Sequence, residues 1–176
     1  MTDPVTEPGP RPCPRTGRSR TLSPLPGTTR PSDVLTMFLA TGVAWLVAAG
    51  VVAVVAAATG SMDARWLALH FAFVGGVSQL IVGAAQFFAC AFLATSPPAQ
   101  RTVRAELLLW NAATVAVAVG VPLKLVPLTG IGGTLLLAGL AVFAFSLRGM
   151  RRRSLQHRPW ATRWYLTAAA FLAGGA

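Results

Sequence analysis

The chain has 176 residues and a formal net charge of +10, yet only 11% of its residues are charged against 54% hydrophobic. Soluble domains carry about 25% charged residues, so the composition excludes an ordinary soluble protein. The basic excess would suit a nucleic-acid binder, but the arginines cluster at the ends of apolar runs rather than on a polar, aromatic-bearing surface, which excludes that partner as well.

Residues 1 to 31 hold eight of the thirteen prolines together with Arg11, Arg15, Arg18, Arg20 and Arg30, and show no apolar periodicity. Such a segment buries too little surface to offset its ordering entropy. A disordered, Pro/Arg-rich cytoplasmic tail over residues 1–33 is therefore expected, with a Pro-rich ligand as the rival reading. Ser32 or Asp33 is placed to cap a helix. A transmembrane helical domain then occupies residues 34–176.

Its first span is the uncharged run from Val34 to Thr59. At 1.5 Å per residue it rises about 39 Å, enough to cross about 30 Å of hydrocarbon with some tilt. A cleavable signal ending near Ala56-Ala57-Ala58 is the alternative, but signal cores have only about 7–15 apolar residues. An uncleaved anchor is expected. The second span, residues 66 to 94, stops at Pro97-Pro98. The third runs from about Ala105 to Val121 and the fourth from about Leu128 to Leu147. A last apolar stretch begins near Trp164 and reaches Ala176. As a helix it rises only about 20 Å, short of a full crossing. Two readings stand. The chain is the front part of a longer membrane protein, or the half-span is sheltered by other helices or bends back at Gly174-Gly175. The expected architecture is all-α and polytopic, with four full spans and a partial fifth.

Loop charge orients these spans. The tail has five arginines, the first loop one, the second Arg101 and Arg104, the third only Lys124, and the fourth six. Basic-rich and basic-poor loops alternate, which places the N-terminus and the loops after the second and fourth spans in the cytoplasm of a multi-pass cell-membrane protein. Trp66 fits the outer interface; Trp160, Trp164 and Tyr165 fit the inner one. Arg148, Arg151, Arg152 and Arg153 also suit anionic lipids, at about 1 kcal/mol per charge.

Polar residues inside the spans are the functional candidates, because lipid spans seldom keep them without a reason. At 100° per residue from His70, the residues Gly76, Gln79, Gly83 and Gln86 fall between about 160° and 240°. Small residues let backbones approach and amides bond across the contact, so these four are expected to mark a helix-helix seam, with a substrate pathway as the rival. His70 points the other way, with Val74, Val77 and Ile81. It either snorkels to the outer headgroups, bonds a neighbouring helix, or ligates a metal or haem iron as neutral imidazole. Gly120, Gly130, Gly132 and Gly133 lie at similar depth, and serve either tight packing or room for a flat macrocycle. Asn111 and Thr114 are spaced to bond between helices. Glu106 is expected to form a solvated ion pair with Arg101 and Arg104. Cys13 and Cys90 have neither bridge-like nor metal-type spacing, and there is no P-loop, GxSxG, HExxH or CxxC pattern.

The segment LHFAFVGGVSQLIVGAAQFF has the cadence His-x4-Gly followed by Ile-x-Gly. It resembles the second helix in the membrane part of certain actinobacterial copper-oxidase and copper nitrite-reductase-like proteins. That membrane part is similar to subunit I of haem-copper oxidases and to NnrS-type haem-copper membrane proteins. QRTVRAELLLWNAATVAVAVG and WATRWYLTAAAFLAGGA extend the likeness over roughly residues 35 to 176. The resemblance implies a haem or metal role for His70, haem or copper as cofactor, a membrane or copper-protein partner, and a link to respiratory or nitrogen-oxide redox. The family's later histidine-bearing helices and its soluble copper domains have no counterpart in these residues, so no complete catalytic site is expected. The alternatives are a small non-catalytic membrane scaffold and a transporter subunit.

Overall fold

A computed structural model of the protein describes residues 30–154 and 160–174. The expected disordered tail therefore lies outside the described residues, apart from its last four positions. Among the described residues every regular element is helical.

Helix α1 spans Pro31–Thr59. It starts three residues before the expected Val34, because Pro31 takes the first helical position, where its missing N–H costs nothing. Asp33 is not the cap itself. Its carboxylate reaches back to accept the Arg30 N–H at 3.1 Å. The helix ends on Gly60 in the left-handed region, φ 68°, whose N–H donates to Ala56 O.

The second span is one rod of 32 residues, Met62–Leu93, made of three parts. Helix α2 covers Met62–His70 and is capped by the Ser61 hydroxyl, which accepts the Ala64 N–H. A π-helical segment covers Phe71–Val77, and helix α3 covers Ser78–Leu93. Helix α4 spans Gln100–Gly120 and takes Arg101 and Arg104, both exposed, into its first turns. Helix α5 spans Val126–Arg153, so the whole RGMRRR cluster forms its last turns rather than a loop. Cations there suit the negative end of the helix dipole. Helix α6 spans Trp160–Gly174, about 22 Å of rise.

Four of these rods are long and apolar enough to cross a membrane. The expected all-α bundle of four full spans and a shorter fifth helix is what forms. Helix α1 packs on the rod, the rod on α4, and α4 pairs closely with an antiparallel α5. Helix α6 lies against α5 and touches α3. The interior holds Phe38, Val82, Trp110, Phe143, Leu147 and Met150. Helix α1 turns Val47, Val51 and Val54 outward, an arrangement suited to acyl chains as solvent and not to water.

Candidate functional site

The rod makes its two sides by residue size. Toward α1 it presents glycine. A Cβ on Gly83 would sit 2.5 Å from Phe38 Cβ, one on Gly76 would sit 2.6 Å from Leu46 Cδ2, and one on Gly75 would sit 2.7 Å from Trp45 Cγ. Gly42 answers from α1, 2.9 Å from Leu80 Cδ2 by the same measure. Each glycine leaves room for a side chain of the facing helix, and at Gly42 and Gly76 the backbones themselves come close, each Cβ position lying 3.1 and 3.3 Å from the other's carbonyl oxygen, which is what small residues at a membrane helix crossing provide.

Toward α4 the rod presents amides. Gln79 Nε2 donates to Asn111 Oδ1 at 3.2 Å, and Trp45 Nε1 donates to the same oxygen at 2.6 Å. The Thr41 hydroxyl donates to Gln79 Oε1 at 2.6 Å, and Asn111 Nδ2 donates to Leu107 O at 2.7 Å. Three helices are thereby tied at one level. Two turns further along, Gln86 Nε2 donates to both carboxyl oxygens of Glu106, at 2.9 and 2.8 Å. Both side chains are fully buried. The expected ion pair of Glu106 with Arg101 and Arg104 does not form. Glu106 lies on the inward stripe of α4 with Val103, Trp110 and Ala113, while the two arginines point outward. That stripe, at three- and four-residue spacing, is the sequence signal that locates Glu106 and Trp110 inside.

His70 does not point away from Gln79. It reaches the same neighbour, α4, with Nε2 3.0 Å from Thr114 O. The π segment explains the change of face. Its i→i+5 rings wind less per residue than an α-helix, so seven residues of it rotate His70 relative to Gln79. Side chains of α4 and α3 support the segment. Trp110 Nε1 donates to Val74 O at 2.9 Å, and Ser78 Oγ donates to Phe73 O at 2.6 Å. A carbonyl only accepts, so His70 Nε2 carries the proton. The Trp66 indole stacks on the imidazole at 5.1 Å and 11°.

Beside His70 lies a cavity of about 930 Å³, walled by the rod, α4 and α5 and touched by Phe171 of α6. Its lining runs from buried Trp110 and Leu140, the deep end, to exposed Lys124 and Val126 at the α4–α5 turn, the mouth. The glycine patch at this depth divides between two uses. Gly120 and Gly132 pack tightly, their Cβ positions 2.5 Å from Thr129 Oγ1 and 2.6 Å from Val117 Cγ2. Gly130 and Gly133 face open space and line the cavity.

As a ligand set, the site offers one free nitrogen, His70 Nδ1. A ring N–H on a backbone carbonyl is the usual outer support of a ligating histidine. Among the described residues, however, no three His, Cys, Asp or Glu side chains converge. These residues do not fit a bare metal ion caged by protein alone. Cys90 is buried, its thiol directed at Met150 Sδ 3.5 Å away.

Comparison with protein-family models, with curated proteins and with solved structures gave no match. The likeness to haem-copper membrane domains rests on the three sequence segments alone.

Proposed function

We propose that the protein is a multi-pass cell-membrane protein that binds a lipid-soluble ligand in the lateral cavity between the rod, α4 and α5. The cavity itself carries this reading. It is large, its walls are mostly apolar, and Gly130 and Gly133 leave it unfilled where ordinary side chains would close it. Apolar clefts between helices with a few convergent polar groups are the usual form of small-molecule sites. The test is mass spectrometry of organic extracts from protein purified in mild detergent. A hydrophobic ligand retained in about equimolar amount, and lost when Gly133→Leu fills the cavity, is the expected result. Wild type and Gly133→Leu carrying the same extractable material would refute it.

A second reading has its own observation. His70 borders the cavity with Nε2–H held by Thr114 O and Nδ1 unspent. With that arrangement His70 would hold a haem iron through Nδ1, in keeping with the redox association implied by the sequence resemblance. The chemistry would be the cofactor's, and the protein's part would be to orient the imidazole. A Soret band in protein from haem-replete cells, abolished by His70→Ala, is what this reading requires. Colourless protein carrying an extractable lipid leaves the first reading alone.

A further inference from the structure

The cavity is long rather than round. From Val126 at its mouth to Leu140 at its floor, α5 rises about 21 Å. One leaflet contributes about 15 Å of hydrocarbon, half of a 30 Å core, and the headgroup layer lies beyond it. The groove therefore runs the depth of a single leaflet and stops near the midplane. A flat macrocycle has no use for that length; an acyl chain standing along the membrane normal does.

The polar groups are distributed in the same sense. Deep in the groove, His70 Nε2–H is spent on Thr114 O and the Ser78 hydroxyl on Phe73 O. At the mouth, no hydrogen bond or ion pair among the described residues holds the Lys124 ammonium. Lys124 is the single cation between the third and fourth spans, on the side that the arginine pattern assigns to the outside, where basic residues are otherwise sparse. Its backbone completes the stop of α4. Lys124 N–H donates to Val121 O at 3.1 Å and Leu125 N–H to Gly120 O at 2.8 Å, the paired bonds of a Schellman turn. Lys124 occupies the left-handed position of that turn, φ 56°, where glycine is the residue of least strain. Ala94 does the same at the end of α3, so the conformation is tolerated elsewhere in this chain. What distinguishes position 124 is a cation over the mouth of an apolar groove.

We infer that the cavity holds an anionic glycerophospholipid of the leaflet on the Lys124 side, with its phosphate against the Lys124 ammonium and an acyl chain in the groove walled by the rod, α4 and α5 as far as Leu140. This rests on the reading of the cavity as a ligand site, and names the ligand class.

The turn geometry supplies a clean test. Lys124→Gly removes the charge and puts the favoured residue at the left-handed position, so the fold is kept. The full chain is reconstituted in vesicles of equal phosphatidylglycerol and phosphatidylcholine and extracted in mild detergent. Bound lipid is then read by native mass spectrometry for wild type, Lys124→Gly, Lys124→Arg and Gly133→Leu. The arginines of the RGMRRR cluster lie at the other end of α5 and contribute equally to all four, so differences between variants report on the groove. Phosphatidylglycerol is expected to be enriched roughly fivefold in wild type, the ratio that one surface cation supplies. Lys124→Gly should lose the enrichment, Lys124→Arg should restore it, and Gly133→Leu should lose the lipid altogether. Lipid displaced by Gly133→Leu but showing no Lys124-dependent preference would overturn the anionic assignment while leaving the cavity a ligand site. Lipid unaffected by Gly133→Leu would overturn both.

Discussion

Gln86 on α3 gives one amide nitrogen to both oxygens of Glu106 on α4, at 2.9 and 2.8 Å, with neither side chain exposed. The Gln86 carbonyl oxygen has no partner. Each residue is therefore held in the interior chiefly by the other. Removing one partner strands a buried polar group, whereas removing both does not. Glu106→Ala is expected to destabilise the detergent-solubilised protein by about 2 kcal/mol. The double change Gln86→Leu with Glu106→Leu should recover most of that loss. Thermal unfolding of Gln86→Leu, Glu106→Leu and the double variant measures the coupling. Additive losses would mean that the pair does not act as a unit.

Glycines divide into contacts and openings, and the two kinds should respond oppositely to one methyl group. Gly83→Ala places a Cβ 2.5 Å from Phe38 Cβ, a clash between elements that neither helix can relieve by a rotamer change. Overpacking of this kind costs about 1–3 kcal/mol. Gly133→Ala meets nothing within 4 Å and gains helix propensity, about 0.8–1 kcal/mol in a helix interior. Melting temperatures should thus fall for Gly83→Ala and rise for Gly133→Ala. A matching shift in both would contradict the packing of α1 on the rod.

Asn111 is the acceptor shared by Trp45 and Gln79. Its loss disconnects α1 and the rod from α4 at one level. Interhelical hydrogen bonds in membrane proteins average about 0.6 kcal/mol and reach about 1.7, so Asn111→Ala should cost about 1–2 kcal/mol through two such bonds. Asn111→Asp keeps the acceptor oxygen but loses the donor to Leu107 O. A Trp45 emission change in Asn111→Ala, relative to wild type, would report the freed indole directly.

The spans were legible because lipid-facing helices must be apolar over a fixed length, and the uncharged runs have that length. The ends were less so. The charges of Arg101, Arg104, Arg148, Arg151, Arg152 and Arg153 point to loop, yet helices continue through them. Gly76, Gln79, Gly83 and Gln86 stood out together as one face at 100° per residue. The structure sends the glycines to α1, Gln86 to α4 and Gln79 to both. The short linear distance from Glu106 to Arg101 and Arg104 points to an ion pair, whereas its place on the stripe from Val103 to Trp110 carries it inside. The π segment had no periodic signature at all. Nothing in FAFVGGV marks i→i+5 bonding, and the supporting donors, Trp110 on α4 and the Ser78 hydroxyl, become visible only once the helices are packed. The side of the rod that His70 occupies could not be read without it.

Sidedness decides which leaflet reaches the groove, and the sequence and the fold constrain it differently. The tail and the segments after the second and fourth spans carry the arginines. The fold adds that Arg151, Arg152 and Arg153 are exposed on the last turn of α5, so their charge stands at a helix end where it opposes translocation. Arg65, in the first turn of α2, and Lys124, in the α4–α5 turn, are outnumbered. Single cysteines introduced at Met62, Ser96 and Lys124, in a background with Cys13 replaced by serine and Cys90 left buried, give three independent positions. An impermeant maleimide applied to intact cells should label positions 62 and 124 and spare position 96, with position 96 labelled only after permeabilisation. Labelling of position 96 alone in intact cells would invert the protein. The Lys124 mouth of the cavity would then open to the cytoplasmic leaflet, where anionic lipid is to be sought instead.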